Sequence, residues 1–309
     1  MSMRRLLSFF CLLASPLAAE PPRVVADIAP VHGLVSMVME GSGTPELLIP
    51  PGVSAHDMAL KPSQARALMQ ADLVVWIGPE MSPWLDRALA AGDAQDLVLM
   101  EVPETQLYAF RETALFGDHA HDGHVEEAGH DHDHGGEDPH VWLDPMNAAV
   151  WLPALADALA GLDPENAALY RANAEAGVAE LTELTDSLQA QMAPVRDVPL
   201  IAFHDAFQYF EARFGLTMVG AITAADDSDP GPARVSALRD AAREGRVVCA
   251  MAEPQFNPGL LDAVTEEAGL PVAILDPLGS NIDLGSGFYE ALLKQMAGAV
   301  TECVGSAGK

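Results

Sequence analysis

Between Pro164 and Met192 the chain runs without an internal proline, and Tyr170, Gly177, Leu181, Leu184 and Leu188 recur at helical spacing. At 1.5 Å per residue this predicts a helix about 43 Å long. That is longer than one small domain is wide, so the helix is expected to cross between two. Asp163-Pro164 offers it an N-cap and a first-turn proline, as Asp144-Pro145 does for a helix just upstream. On both sides, short apolar runs alternate with amphipathic ones. Upstream, strands are expected at Arg23–Ile28, Glu46–Ile49, Leu73–Ile77 and Leu97–Glu101, with helices at Val31–Glu40, Pro62–Gln70 and Ser82–Ala91. Downstream, strands are expected at Leu200–Phe203, Thr217–Ala221, Val247–Met251 and Val272–Leu275, with helices at Asp205–Arg213, Pro232–Glu244, Pro258–Ala268 and Gly287–Cys303. Such alternation argues for βαβ units. The expected fold class is α/β: two lobes with parallel sheets flanked by helices, residues 20–143 and 195–309, joined by a helical linker, 144–194, that contains the long backbone helix. No strong residue-level repeat relates the lobes.

Residues 1–19 read as a secretory signal peptide, with Arg4-Arg5, an apolar run from Leu6 to Leu13 and small residues up to Ala19. The run is too short to span a bilayer. Cys11 within it lacks the small residues that a lipidation site wants just before it. A soluble exported product is expected. Cys249 and Cys303 would then remain in an oxidising compartment, where two cysteines usually bond. The alternative is two free buried thiols. With 45 acidic and 16 basic side chains the formal charge is −29. Such a surface repels phosphate backbones, which excludes nucleic-acid binding.

From Gly117 to Asp138 the pattern of strands and helices stops. This tract holds six histidines (His119, His121, His124, His130, His132 and His134), eight acidic residues and no Lys or Arg. Its composition cannot fill a core. Histidine alternating with aspartate binds divalent cations by mass action through many interchangeable arrangements. The competing reading is a solvated linker. Protonation below about pH 6 should weaken metal capture, because protons compete for imidazole.

Outside the tract, His56 follows the second expected strand, His140 follows the tract, His204 ends the strand at Leu200 and Asp276 ends the last strand. In open α/β sheets ligands bind beyond the carboxyl ends of strands, and two lobes facing each other would bring these four residues to one cleft. Three imidazoles and a carboxylate suit tetrahedral zinc, with copper, nickel and iron also compatible with imidazole donors. Any one histidine alone would be an ordinary polar residue at a strand end; the coincidence of three favours a site. His32, at an expected helix start, reads as a capping or solvent-facing residue. Asp205 and Glu253 could each orient a ligating imidazole, or simply cap a helix or face solvent.

The segments Pro51-Gly-Val-Ser-Ala-His-Asp57, Trp76-Ile-Gly-Pro-Glu80, Asp138-Pro-His-Val-Trp-Leu143, Ala202-Phe-His-Asp-Ala-Phe207, Ala252-Glu-Pro-Gln-Phe256 and Leu275-Asp-Pro-Leu-Gly279 together resemble the zinc-binding component (ZnuA) of bacterial zinc-uptake ABC transporters, among the cluster A-I metal solute-binding proteins. The resemblance covers nearly all of the chain after residue 19. It implies a monomeric periplasmic protein that carries Zn²⁺ to an inner-membrane ABC permease with a cytoplasmic ATPase, and an accessory periplasmic zinc chaperone as a further partner. It implies ligands at His56, His140 and His204, a carboxylate ligand at Asp276 and a disulfide between Cys249 and Cys303. Manganese members tend to have Glu where this chain has His204, which favours zinc. Some zinc members have Glu where this chain has Ala55, so the fourth ligand here is expected to be Asp276 or water.

Two rival functions share these residues. A zinc hydrolase would also use three protein ligands, with an open position. The sequence has no helical His-Glu-x-x-His, no Gly-x-Ser-x-Gly elbow and no phosphate-cradling glycine loop. A periplasmic zinc buffer or chaperone without a permease is the other.

Overall fold

The computed structural model describes residues 20–307 except 57, 59, 91, 93, 112–114, 117–135 and 224–229. The signal peptide expected at 1–19 and the six histidines of the tract lie outside the described residues.

The first lobe holds β1 (Val24–Ala26), α1 (Ala29–Val38), β2 (Glu46–Leu47), α2 (Pro62–Gln70), β3 (Leu73–Trp76), α3 (Pro83–Leu89) and β4 (Gln95–Val98). Its strands form a parallel sheet in the order β2-β1-β3-β4. α4 (Pro145–Leu162) and α5 (Ala167–Met192) follow. The second lobe holds β5 (Pro199–His204), α6 (Gln208–Phe214), β6 (Thr217–Thr223), α7 (Pro232–Arg243), β7 (Cys249–Ala252), α8 (Gly259–Thr265), β8 (Val272–Ile274) and α9 (Phe288–Ser306). Its sheet is parallel in the order β6-β5-β7-β8. The two sheets share one topology. In each, the chain leaves the first strand to one side and returns on the other, so a switch point opens between β1 and β3 and between β5 and β7.

The strand sequences explain the layering. Leu73-Val-Val-Trp76 and Cys249-Ala-Met-Ala252 are buried at every position, as expected of parallel strands covered on both faces. β4 starts at Gln95, earlier than its apolar run, because the ladder pairs Gln95 with Leu73. Leu99–Glu101, expected as strand, forms a 3₁₀ turn. Gly215, in the left-handed region at φ 70°, ends α6.

The long helix begins at Ala167, after a 3₁₀ turn at Pro164–Asn166. The Asp163 carboxylate does not cap it but accepts from Asn166 Nδ2 (2.7 Å) and the Tyr170 hydroxyl (2.8 Å). α5 buries Tyr170, Ala174, Gly177, Leu181, Leu184, Leu188 and Met192 as one stripe against α4, α1 and α9. One continuous apolar core therefore runs from the first sheet through α4 and α5 to β5, β7 and α9, while a smaller one lies beneath α7 and α8. A disulfide joins Cys249 on β7 to Cys303 on α9, with Cα atoms 6.1 Å apart, within the usual span. His32 corrects the expectation of a solvent-facing or capping side chain. It is buried inside α1, with Nε2 3.1 Å from the Pro45 carbonyl and Nδ1 3.4 Å from Ser36 Oγ. Among the described residues no helix is long and apolar enough to cross a membrane.

Candidate metal centre

Each residue of the expected set sits on a different segment of the chain, and only His204 ends a strand. His204 is the last residue of β5, and Glu253 follows the end of β7, so this pair occupies the switch point of the second sheet. His140 precedes the 3₁₀ turn Val141–Leu143 that leads into α4. Asp144, next along, caps α4 by accepting from Met146 N (2.8 Å). His56 lies in the loop between β2 and α2. That loop is pinned by the Ala55 carbonyl, which accepts from Ser82 Oγ (3.2 Å) and Trp84 Nε1 (2.8 Å).

The imidazoles converge. Ring centroids are 5.0 Å apart for His140 and His204 and 5.6 Å for His56 and His140. The Nε2 atoms of His140 and His204 face each other at 3.2 Å. Behind them, His140 Nδ1 is 2.7 Å from Asp138 Oδ1 and His204 Nδ1 is 2.8 Å from Glu253 Oε1. A carboxylate accepts only, so each Nδ1 carries the proton and each Nε2 lone pair is directed at the other ring. Two lone pairs at that distance repel unless a proton or a cation lies between them. Two nitrogens bound to one tetrahedral Zn²⁺ at 2.0–2.1 Å would stand about 3.3 Å apart. The pair therefore has the spacing of two ligands of one metal. Trp142 and Phe256 flank it, at 5.3 Å from His140 and 5.4 Å from His204.

Asp276 faces its own turn. Oδ1 accepts from Leu278 N and Gly279 N (both 3.0 Å), and Oδ2 from Ser280 N (2.7 Å) and Ser280 Oγ (2.6 Å). Those four bonds use the lone-pair sites of a carboxylate. The turn is tied to the His140 segment by Trp142 Nε1, which donates to the Pro277 carbonyl (2.9 Å). Among the described residues no three His, Cys, Asp or Glu side chains stand close enough together to hold a metal as they are. The Nε2 atoms of His140 and His204 already face each other, whereas His56 and Asp276 do not complete a set with them as placed.

Zinc-uptake complex component A, periplasmic (ZnuA), is the family whose model matches residues 24–303. The chain belongs to this family. Among curated ZnuA proteins, each named a high-affinity zinc uptake system protein, that of Paracoccus denitrificans is 40% identical, with 95% of each chain covered. That of Brucella abortus is 36% identical, with 96% of each covered. A crystal structure of a ZnuA deletion mutant with zinc bound superposes with a TM-score of 0.75 at 24% identity, covering 92% of this chain and 98% of the other. At that identity it establishes the shared ZnuA fold.

Three acids near the His140–His204 pair were unequally visible in the sequence. Glu253 Oε1 lies 2.8 Å from His204 Nδ1, the contact that an orienting role would use. Asp205 does neither of the things expected of it: it is buried and paired with Arg111. Asp138 was missed as an orienting residue. Its signal was its place two residues before His140, where its Oδ1 also accepts from the His140 backbone N–H (3.0 Å).

Proposed function

We propose that this chain captures Zn²⁺ in the periplasm and passes it to an inner-membrane ABC permease powered by a cytoplasmic ATPase. The observation that carries this reading is the facing Nε2 pair of His140 and His204, each proton-donating nitrogen held by a carboxylate. That is the arrangement that raises the basicity of imidazole ligands and fixes their tautomer. His56, on the pinned loop beside the pair, is the third ligand. The fourth is Asp276, once one of its bonds to Ser280 is released, or a water. The surrounding excess of acid draws divalent cations toward the cleft. The histidines between 119 and 134 serve as an auxiliary collector. The chain acts as a monomeric carrier and not as an enzyme; a periplasmic chaperone that loads it is a further partner of this reading.

The test is calorimetric zinc titration of the chain from residue 20, of a variant lacking residues 117–135 and of His204→Ala. The deletion stops at 135 because Glu137 bridges to Ala109 and Asp138 holds His140. One tight site should survive the deletion and be lost in His204→Ala. Tight binding that follows the tract instead would make the protein a loop-based zinc buffer.

A further inference from the structure

The segment entering the histidine tract is fastened to the second lobe by one cation. Arg111 Nε lies 3.1 and 2.9 Å from the two oxygens of Asp205, and Nη2 also contacts Asp205 Oδ1. The other face of the fork meets Glu211, with Nη1 at 3.1 Å from Oε2 and Nη2 at 2.7 Å from Oε1. The guanidinium lies 3.9 Å from the centroid of the Phe116 ring. Phe116 N donates to the Val219 carbonyl (2.8 Å), and Leu115 bridges antiparallel to Gly220 on β6. Asp205 adjoins His204 in sequence. The same segment pairs back with the stretch leading to His140: Asp138 N donates to the Tyr108 carbonyl (2.8 Å), and Ala109 bridges to Glu137. Gln208 and Tyr209 of α6 reinforce the join, the first to Asp138 Oδ2 (3.1 Å) and the second to the Asp138 carbonyl (2.7 Å).

From this geometry we infer that Arg111 is a positioning residue for metal binding, which sets the spacing of His140 and His204 by clamping the segment paired with the approach to His140 onto the turn that follows His204. Both arms of the fork are bidentate, and only a planar guanidinium can hold two carboxylates in that way. Arg111 touches no proposed ligand, so its effect is geometric. Its positive charge alone would repel a metal, so a purely electrostatic role predicts the opposite result on removal. The inference rests on the zinc site proposed above.

The experiment is chelator-competition zinc titration of the chain from residue 20, with the visible spectrum of the Co²⁺-loaded form as a second readout. The variants are Arg111→Ala, Arg111→Lys and His204→Ala, with Arg171→Ala as a control in an exposed ion pair with Asp157. Arg111→Ala should weaken the tight site about 10- to 100-fold, the range seen when outer-sphere partners of metal ligands are removed, and should change the Co²⁺ spectrum. Arg111→Lys keeps the charge but loses the fork, and should weaken binding by a smaller factor. If Arg111→Ala does not fold, Arg111→Lys decides. Unchanged or tighter zinc binding with an unchanged Co²⁺ spectrum in the folded Arg111 variants overturns the inference. If His204→Ala keeps the tight site, the site assignment itself fails, whatever the Arg111 variants do.

Discussion

His140 and His204 present their Nε2 atoms to each other across 3.2 Å, one carried on the segment before α4 and the other on the end of β5. The contact joins residues 64 apart in sequence, and it exists because Asp138 and Glu253 hold the rings from behind. Removing either acid lets a ring turn. Glu253→Ala and Asp138→Ala are each expected to weaken zinc binding about 10- to 100-fold without abolishing it. Calorimetry on each variant measures this, and wild-type affinity in both would show that the acids are incidental.

Asp276 bears on the fourth ligand. Its Oδ2 is held by both the backbone and the hydroxyl of Ser280. If that oxygen moves to zinc, the hydroxyl bond has to break. Ser280→Ala then removes a cost of about 1.5–3 kcal/mol, the range for a hydrogen bond to a charged group, so zinc should bind roughly 10- to 150-fold more tightly. A water as fourth ligand predicts no change. Competition titration with a chromophoric chelator resolves such a difference.

Asp27 occupies the switch point of the first sheet, where Ile28 N and Ile77 N donate to its carboxylate at 2.7 and 2.9 Å. Burial pushes its carboxyl up to about 7, against those two donors. The folded chain thus holds this proton more tightly than the unfolded chain does. As pH rises from about 4 to 7 the unfolding free energy contributed here falls, by at most about 4 kcal/mol. Asp27→Asn should flatten that part of the profile. Urea unfolding of the metal-free protein at pH 4.5, 6 and 7.5 tests it; parallel slopes for the two proteins would count against the assignment.

Gly177 sits where α5 crosses α1 and α4. A Cβ there would stand 2.5 Å from Met37 Sδ and 2.8 Å from Leu152 Cδ1. Alanine normally favours a helix interior over glycine by about 1 kcal/mol. Here the overlap dominates, and Gly177→Ala should destabilise the protein by about 1–3 kcal/mol. Thermal unfolding provides the check, and a raised melting temperature would mean that Met37 yields at no cost.

Much of this protein is determined locally and could be read from the chain. Continuous apolar runs bounded by turn residues set the parallel strands, and the stripe from Tyr170 to Leu188 set α5. Strand-end histidines pointed to a metal because imidazole has few other reasons to recur at such positions. Element ends were less secure, since ladder register moved β4 to Gln95 and Asp163 turned away from capping α5. The tertiary structure alone decided what each polar side chain faces. Pairing across 94 residues put Asp205 on Arg111, and burial inside α1 enclosed His32. The Asp276 carboxylate closed on its own turn. Those outcomes depend on which groups meet when two lobes pack around one core, and sequence spacing carries no information about distances between segments that touch only after folding.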